Sequence, residues 1–308
     1  MKVYINKAKE EWIVDRFRNE WNQYNKKTRK TTFLLKNNIV WIIAPWTWTK
    51  FSKKTLINNK VLCTIHHIDE NKFGEAEQID FYNRDKYVDK YHVISDQTFD
   101  KLNTLTKKPI QKIPFWVNQN IWFYIEDKAS LRKKYEIDNS AYLIGSFQRD
   151  TEGHDLKSPK LSKGPDRFIQ IVRNMHESNK NLLVILSGKR RNYVIEGLKK
   201  YEIPFRYFEM TKFEELNELY NILDLYIVSS RVEGGPQAIF EASLTKTPII
   251  STNVGIANEI LSKESIFDMK NILKAKPNTD VAFKNASKFM IPNGFNEFNE
   301  MIKDIYEN

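Results

Sequence analysis

The chain has 308 residues, 41% of them hydrophobic, one cysteine and a formal net charge of +10. That length accommodates two domains of roughly 100–200 residues each, and the lone thiol excludes an internal disulfide framework and suits a reducing cytoplasm. No run of about 20 apolar residues occurs, so no membrane-spanning helix is expected; the opening MKVYINKAKEEWIVD lacks a secretory leader's form, and the charge favours anionic partners such as nucleotide phosphates, acidic lipid surfaces or nucleic acid.

KVYIN reads as a short strand, and EEWIVDRFRNEWNQY as a helix, with Trp12, Ile13, Phe17 and Trp21 near helical spacing. NNIVWIIAPW and KVLCTIHHI are apolar runs of the buried-strand type, and Cys63 in the second reads as a small core residue. GEAEQIDFYNRDKY is helical and KYHVIS a strand. Asp96 is positioned to cap the helix DQTFDKLNTL. PIQKIPFWV closes this half, and NQNIWFYIEDKASLRKKYEID reads as a link followed by a leading helix.

A second alternation follows. SAYLIGSF, NLLVILSG, PFRYFEM, DLYIVSS and PIISTNV are strands; GPDRFIQIVRNMHES, RNYVIEGLKKYEI, FEELNELYNI and ANEILSK are helices, and FNEFNEMIKDIYE is a terminal helix. Such alternation predicts parallel α/β sheets. All seven tryptophans fall at or before Trp122, and of ten glycines only Gly74 precedes Gly145. The shift predicts two domains, 1–122 and 140–292.

The densest chemistry lies in RVEGGPQAIFEASLTKTPIIST. Glu233 leaves the C-terminal end of a strand, Gly234 and Gly235 open a helix behind Pro236, and Glu241 lies inside it. Ligands of open α/β sheets bind beyond the carboxyl ends of the strands. A glycine-rich helix start offers free N–H groups to an anion, and flanking carboxylates accept from sugar hydroxyls. Ser230 and Arg231 flank the loop, and Arg231 is a candidate partner for Glu233.

This stretch resembles the E-x7-E signature of retaining glycosyltransferases of family 4, which have two Rossmann-like domains, the GT-B fold. The resemblance is specific from Gly145 to Glu259 and looser before Asn120. It implies a terminal helix, about 295–308, that crosses back onto the first domain. In IGSFQRD and KGPDRFIQIV, Arg149 and Lys163 match the cations that hold the donor diphosphate; the insertion TEGHDLKSPKLS lengthens their spacing and makes Lys160 a competitor for Arg149. Gly188 matches the glycine turn before the base-binding region, where Lys189, Arg190 and Arg191 either reach phosphate or cover the surface. Glu209 and Met210 match the segment that frames the nucleobase. The resemblance gives Glu233 the sugar hydroxyls and Glu241 the ribose diol.

In the first domain His66 matches a histidine near the sugar–phosphate junction, with His67 beside it; which of the two faces the site stays open here. A glycine-rich loop after the first strand is missing, and the aromatic faces of Trp46 and Trp48 are candidates for the acceptor wall. The resemblance implies a retaining, metal-independent transferase, with catalytic residues Glu233, His66 and Lys163. It would use a nucleoside-diphosphate sugar, with no cofactor and no metal, and a glycan or lipid-linked acceptor, as in polysaccharide biosynthesis. Its expected location is cytoplasmic, with peripheral contact at the inner membrane face; nucleic acid is not the expected partner. Two further readings are a non-catalytic basic binding module on the same scaffold and a nucleotide-sugar epimerase.

Overall fold

The computed structural model describes residues 2–9, 13–30 and 39–308. It divides into two compact units, Met1–Trp116 with Phe289–Asn308, and Val117–Lys288. Trp12, expected within the first helix, lies outside the described residues.

The first unit holds a parallel sheet of β1 (Lys2–Ile5), β2 (Arg29–Lys30), β3 (Ile39–Ile42), β4 (Lys60–Ile65), β5 (Lys90–Val93) and β6 (Ile110–Lys112). Their order is β2-β1-β3-β4-β5-β6. Between them run α1 (Ile13–Tyr24), α2 (Lys53–Ile57), α3 (Glu75–Asp85) and α4 (Asp96–Asn103). All four residues of β3 and five of the six in β4 are buried, as continuous apolar strands covered on both faces must be. The cap of α4 is Ser95, whose hydroxyl accepts from Thr98 N; Asp96 is the first helical residue and pairs with Lys112 at 2.9 Å. Serine wins the cap because its extended backbone turns the short hydroxyl onto the orphan N–H groups.

The second unit begins with a segment pinned by amides: Asn217 Oδ1 accepts from Phe123 N at 3.1 Å, and Asn221 Oδ1 from Ile125 N at 2.7 Å. Next come α5 (Lys128–Lys134), β7 (Tyr142–Ser146), β8 (Thr151–Glu152), β9 (Ser158–Pro159), α6 (Pro165–Ser178) and β10 (Leu182–Ser187). Then follow α7 (Asn192–Lys200), β11 (Phe205–Phe208), α8 (Phe213–Ile222), β12 (Leu225–Val228), α9 (Gln237–Leu244), β13 (Ile249–Thr252), α10 (Ala257–Ile260), β14 (Ile266–Phe267) and α11 (Thr279–Ala286). The main sheet runs β11-β10-β7-β12-β13-β14, all parallel, while β8 and β9 form a separate antiparallel hairpin. Counted within the unit, this is the 3-2-1-4-5-6 order of dinucleotide-binding sheets.

The chain then returns to the first unit through α12 (Asn296–Glu307). Phe298 stacks on Trp41 with centroids 5.4 Å apart, and Phe295 meets Trp116 edge-on at 4.7 Å. Trp21 contacts Trp41 at 5.3 Å. The tryptophan-rich first half thus supplies an aromatic core that α12 completes, each ring burying a large apolar area. Among the described residues no helix is long and apolar enough to cross a membrane.

Candidate functional site

In the second unit β7 and β12 are neighbours, and the connections that follow them lead to opposite halves of the sheet. Their C-terminal ends therefore mark a switch point, where such sheets form a crevice. Two loops line it, 147–150 after β7 and 229–236 after β12. The segment before α6 is strapped to the second loop: Ser162 O accepts from Arg231 N at 2.8 Å and from Val232 N at 3.1 Å, and Ser229 Oγ donates to Gly164 O at 2.9 Å. Gly164 permits this approach, because its φ is +63° and a Cβ there would stand 1.9 Å from Ser229 O.

The strap sets Lys163 against Glu233. Lys163 Nζ donates to Glu233 Oε1 in an ion pair, and Ser230 Oγ donates to the same oxygen at 3.0 Å. Glu233 is only 7% exposed. A carboxylate this buried requires charged and hydroxyl donors. Arg231 takes no part, because it is engaged in a two-pronged pair with Asp166 at 2.7 and 2.6 Å.

The insertion after β7 closes on itself. The β8–β9 hairpin brings Lys160 N back to Asp150 O at 2.8 Å, so the longer spacing does not carry Lys163 away from the loop it must meet. Arg149 Nε donates to Thr151 O at 2.9 Å. Burial holds the Lys160 ammonium below its usual range, with the positive charges of Lys163 and Arg149 adding to it. Burial likewise lowers the Arg149 guanidinium, with Arg190 the neighbouring positive charge. Each cation of this cluster thus disfavours the charge of its neighbours. Arg191 is neither a surface group nor a phosphate ligand; it is fully buried against Asp150.

Glu241, inside α9, is 8% exposed and accepts from Tyr220 Oη at 3.0 Å. The Gly234 and Gly235 loop precedes α9, with Pro236 at its N-cap. Gly255 lies close against it: a Cβ there would meet Gly234 O at 2.4 Å. Gly188, at φ +93°, forms the turn after β10, and its carbonyl accepts from Tyr207 Oη at 2.9 Å. Lys189, Glu209 and Met210 are exposed beyond that turn and beyond β11.

In the first unit the histidine pair separates. His67 is exposed, whereas half-buried His66 donates from Nε2 to Ile43 O at 2.8 Å and stacks on Phe115. Burial pushes His66 down to about 4, so it is a neutral imidazole whose accepting nitrogen is Nδ1. Trp46 is 51% exposed, with its ring 6.2 Å from that of His66. Trp48 does not share this setting: its Nε1 donates to Asp80 at 2.8 Å and it stacks on Tyr87, so it packs down onto α3. The sequence reading of Trp48 as an acceptor wall therefore gives way to packing.

Sequence reasoning passed over Tyr220, Gly164 and Gly255. Tyr220 precedes the strand before Glu233 and Tyr226 lies in it, and buried polar aromatics signal hydroxyls that need partners. No local signal marks the glycines, because what each avoids belongs to a distant loop.

Residues 158–307 match the family model described as glycosyl transferases group 1. The chain is similar to the O-antigen biosynthesis glycosyltransferase WclY of Escherichia coli, 25% identical over 145 residues that cover 47% of this chain and 38% of that one. It is also similar to Protein CapJ of Staphylococcus aureus, 27% identical over 155 residues that cover 49% and 37%. The chain thus spans well under half the length of either relative. Among solved structures, that of Anabaena Alr3699/HepE in complex with UDP and glucose superposes with a TM-score of 0.74 at 12% identity, covering 98% of this chain and 99% of that one. Residues 158–307, which carry Lys163, Glu233 and Glu241, thus match the glycosyl transferases group 1 model, and the chain has the α/β GT-B fold.

Proposed function

We propose that this chain is a retaining, metal-independent glycosyltransferase of family 4 that moves a sugar from a nucleoside-diphosphate sugar to a hydroxyl of a glycan or lipid-linked acceptor. The observation that carries this reading is the Lys163–Glu233 pair, its carboxylate buried, at the β7/β12 switch point, with Arg149 and Lys160 as neighbouring cations. In this reading the cations and the N–H groups of the Gly234–Gly235 loop receive the diphosphate and offset the charge it gains as the glycosidic bond breaks. Glu233 accepts from sugar hydroxyls, and Glu241 from the ribose. The acceptor oxygen bonds to the anomeric carbon on the face the diphosphate leaves, and its proton passes to the departing phosphate oxygen.

The net charge of +10 supports action at the cytoplasmic face of an anionic membrane. The HepE structures hold UDP with glucose and UDP-glucose, which makes UDP-sugars the first donors to try. The test is incubation with UDP-, GDP- and ADP-sugars and glycan acceptors, following nucleotide release and the product's anomeric configuration, with and without a chelator. Retained configuration, indifference to the chelator and a loss of about a hundredfold in Lys163→Met and Glu233→Ala are expected. Full transfer by Glu233→Ala would remove the site assignment.

A further inference from the structure

Tyr220, in the last turn of α8, is 1% exposed and donates to Glu241 Oε2 at 3.0 Å. A carboxylate only accepts, so the single proton of Tyr220 is committed to it. Tyr226, in β12, is equally buried, and its ring lies 5.2 Å from that of Tyr220. The Tyr226 oxygen accepts from the backbone N–H of Phe147 at 3.0 Å. The ring of Phe147 packs against both phenols, with centroids 4.8 and 5.4 Å away.

Packing alone does not call for the Tyr220 hydroxyl. Phenylalanine at 220 would fill the same space without the cost of burying a polar group. The hydroxyl is spent on a carboxylate, and a bond with one charged partner is the stronger kind. Burial raises both phenols, Tyr226 to about 12, so each keeps its proton at neutral pH.

We propose that Tyr220 is a positioning residue that aims the Glu241 carboxylate at the ribose diol of the donor nucleotide. The ring of Phe147 packs on Tyr220, and its successors Gln148 and Arg149 belong to the loop assigned to the phosphates. Ribose and phosphate recognition thus meet at the end of β7. This inference rests on the donor-site reading above and adds a residue to it.

The test is calorimetric titration of the full chain with whichever of UDP, GDP and ADP it binds, and with the 2′,3′-dideoxy form of that nucleotide. Tyr220→Phe is expected to weaken the ribonucleotide about tenfold and to leave the dideoxynucleotide unchanged. Tyr220→Met, which also lacks the hydroxyl, should repeat the pattern, and it carries the test if Tyr220→Phe does not fold. Adding Tyr220→Phe to Glu241→Gln should bring no further loss. Equal weakening of both nucleotides, or no change in either, overturns the inference and leaves the donor site standing. If the unaltered chain binds none of the three nucleotides, the donor reading falls and takes the inference with it.

Discussion

Arg191 and Asp150 form an ion pair from which water is excluded: Nε stands 2.6 Å from Oδ2, with side chains 0% and 2% exposed. Arg191 also donates to Ser146 O at 2.6 Å and Ser187 O at 3.1 Å, tying together the ends of β7 and β10. Removing one member of such a pair strands the other charge in the interior. Arg191→Met is expected to cost about 3–5 kcal/mol, read from urea unfolding at pH 7. A loss below about 1 kcal/mol would mean that Asp150 finds another partner.

Gly164 and Gly188 both have positive φ but differ in their surroundings. A Cβ at Gly164 meets backbone at 1.9 Å, whereas at Gly188 the nearest atom is 3.6 Å away. Gly188→Ala should cost about 1–2 kcal/mol, the conformational term alone. Gly164→Ala should cost more and also loosen the strap that holds Lys163, exposing residues 160–164 to limited proteolysis. Equal melting temperatures for the two variants would contradict this.

His66 and His92 make folding sensitive to acid. Burial is the main cause for both, pushing His66 to about 4 and His92 to about 3, and each ring donates to a backbone carbonyl, Ile43 O or Ile113 O. The unfolded chain takes up protons on these rings below about pH 6.5, while the folded chain does not. The stability they confer is thus present above pH 6.5 and drains away as pH falls through 6.5 toward 4. Unfolding free energy should drop between pH 7 and 5, and the drop should shrink in His92→Gln. A flat profile over that range would show that the rings are already charged in the fold.

Trp46 and Trp48 should respond in opposite ways. Trp48→Ala removes a bond to Asp80 and a stack on Tyr87, and is expected to cost about 1–3 kcal/mol. Trp46→Ala removes a half-exposed ring and should change stability by less than about 0.5 kcal/mol. Thermal unfolding of the two single variants decides it, and a larger loss at Trp46 would reverse the assignment.

The sequence by itself determined the α/β alternation, the buried strands and the acid–glycine–acid segment, because these are written in local periodicity. The apolar run IVWII reads as a covered strand, and Gly234–Gly235–Pro236 as the approach to a helix. Tertiary structure decided which distant residues meet. Lys163 and Glu233 are 70 residues apart, and they touch because strand order sets β7 beside β12 and Gly164 lacks a Cβ. The same holds for Arg191, which reads as one of three cations in GKRRN that reach phosphate or cover the surface until the fold supplies Asp150. It holds as well for Trp48, whose partner Asp80 lies on another helix. Charge and hydrogen-bond partnerships over such separations depend on strand order and close approach, and neither leaves a local pattern in the chain.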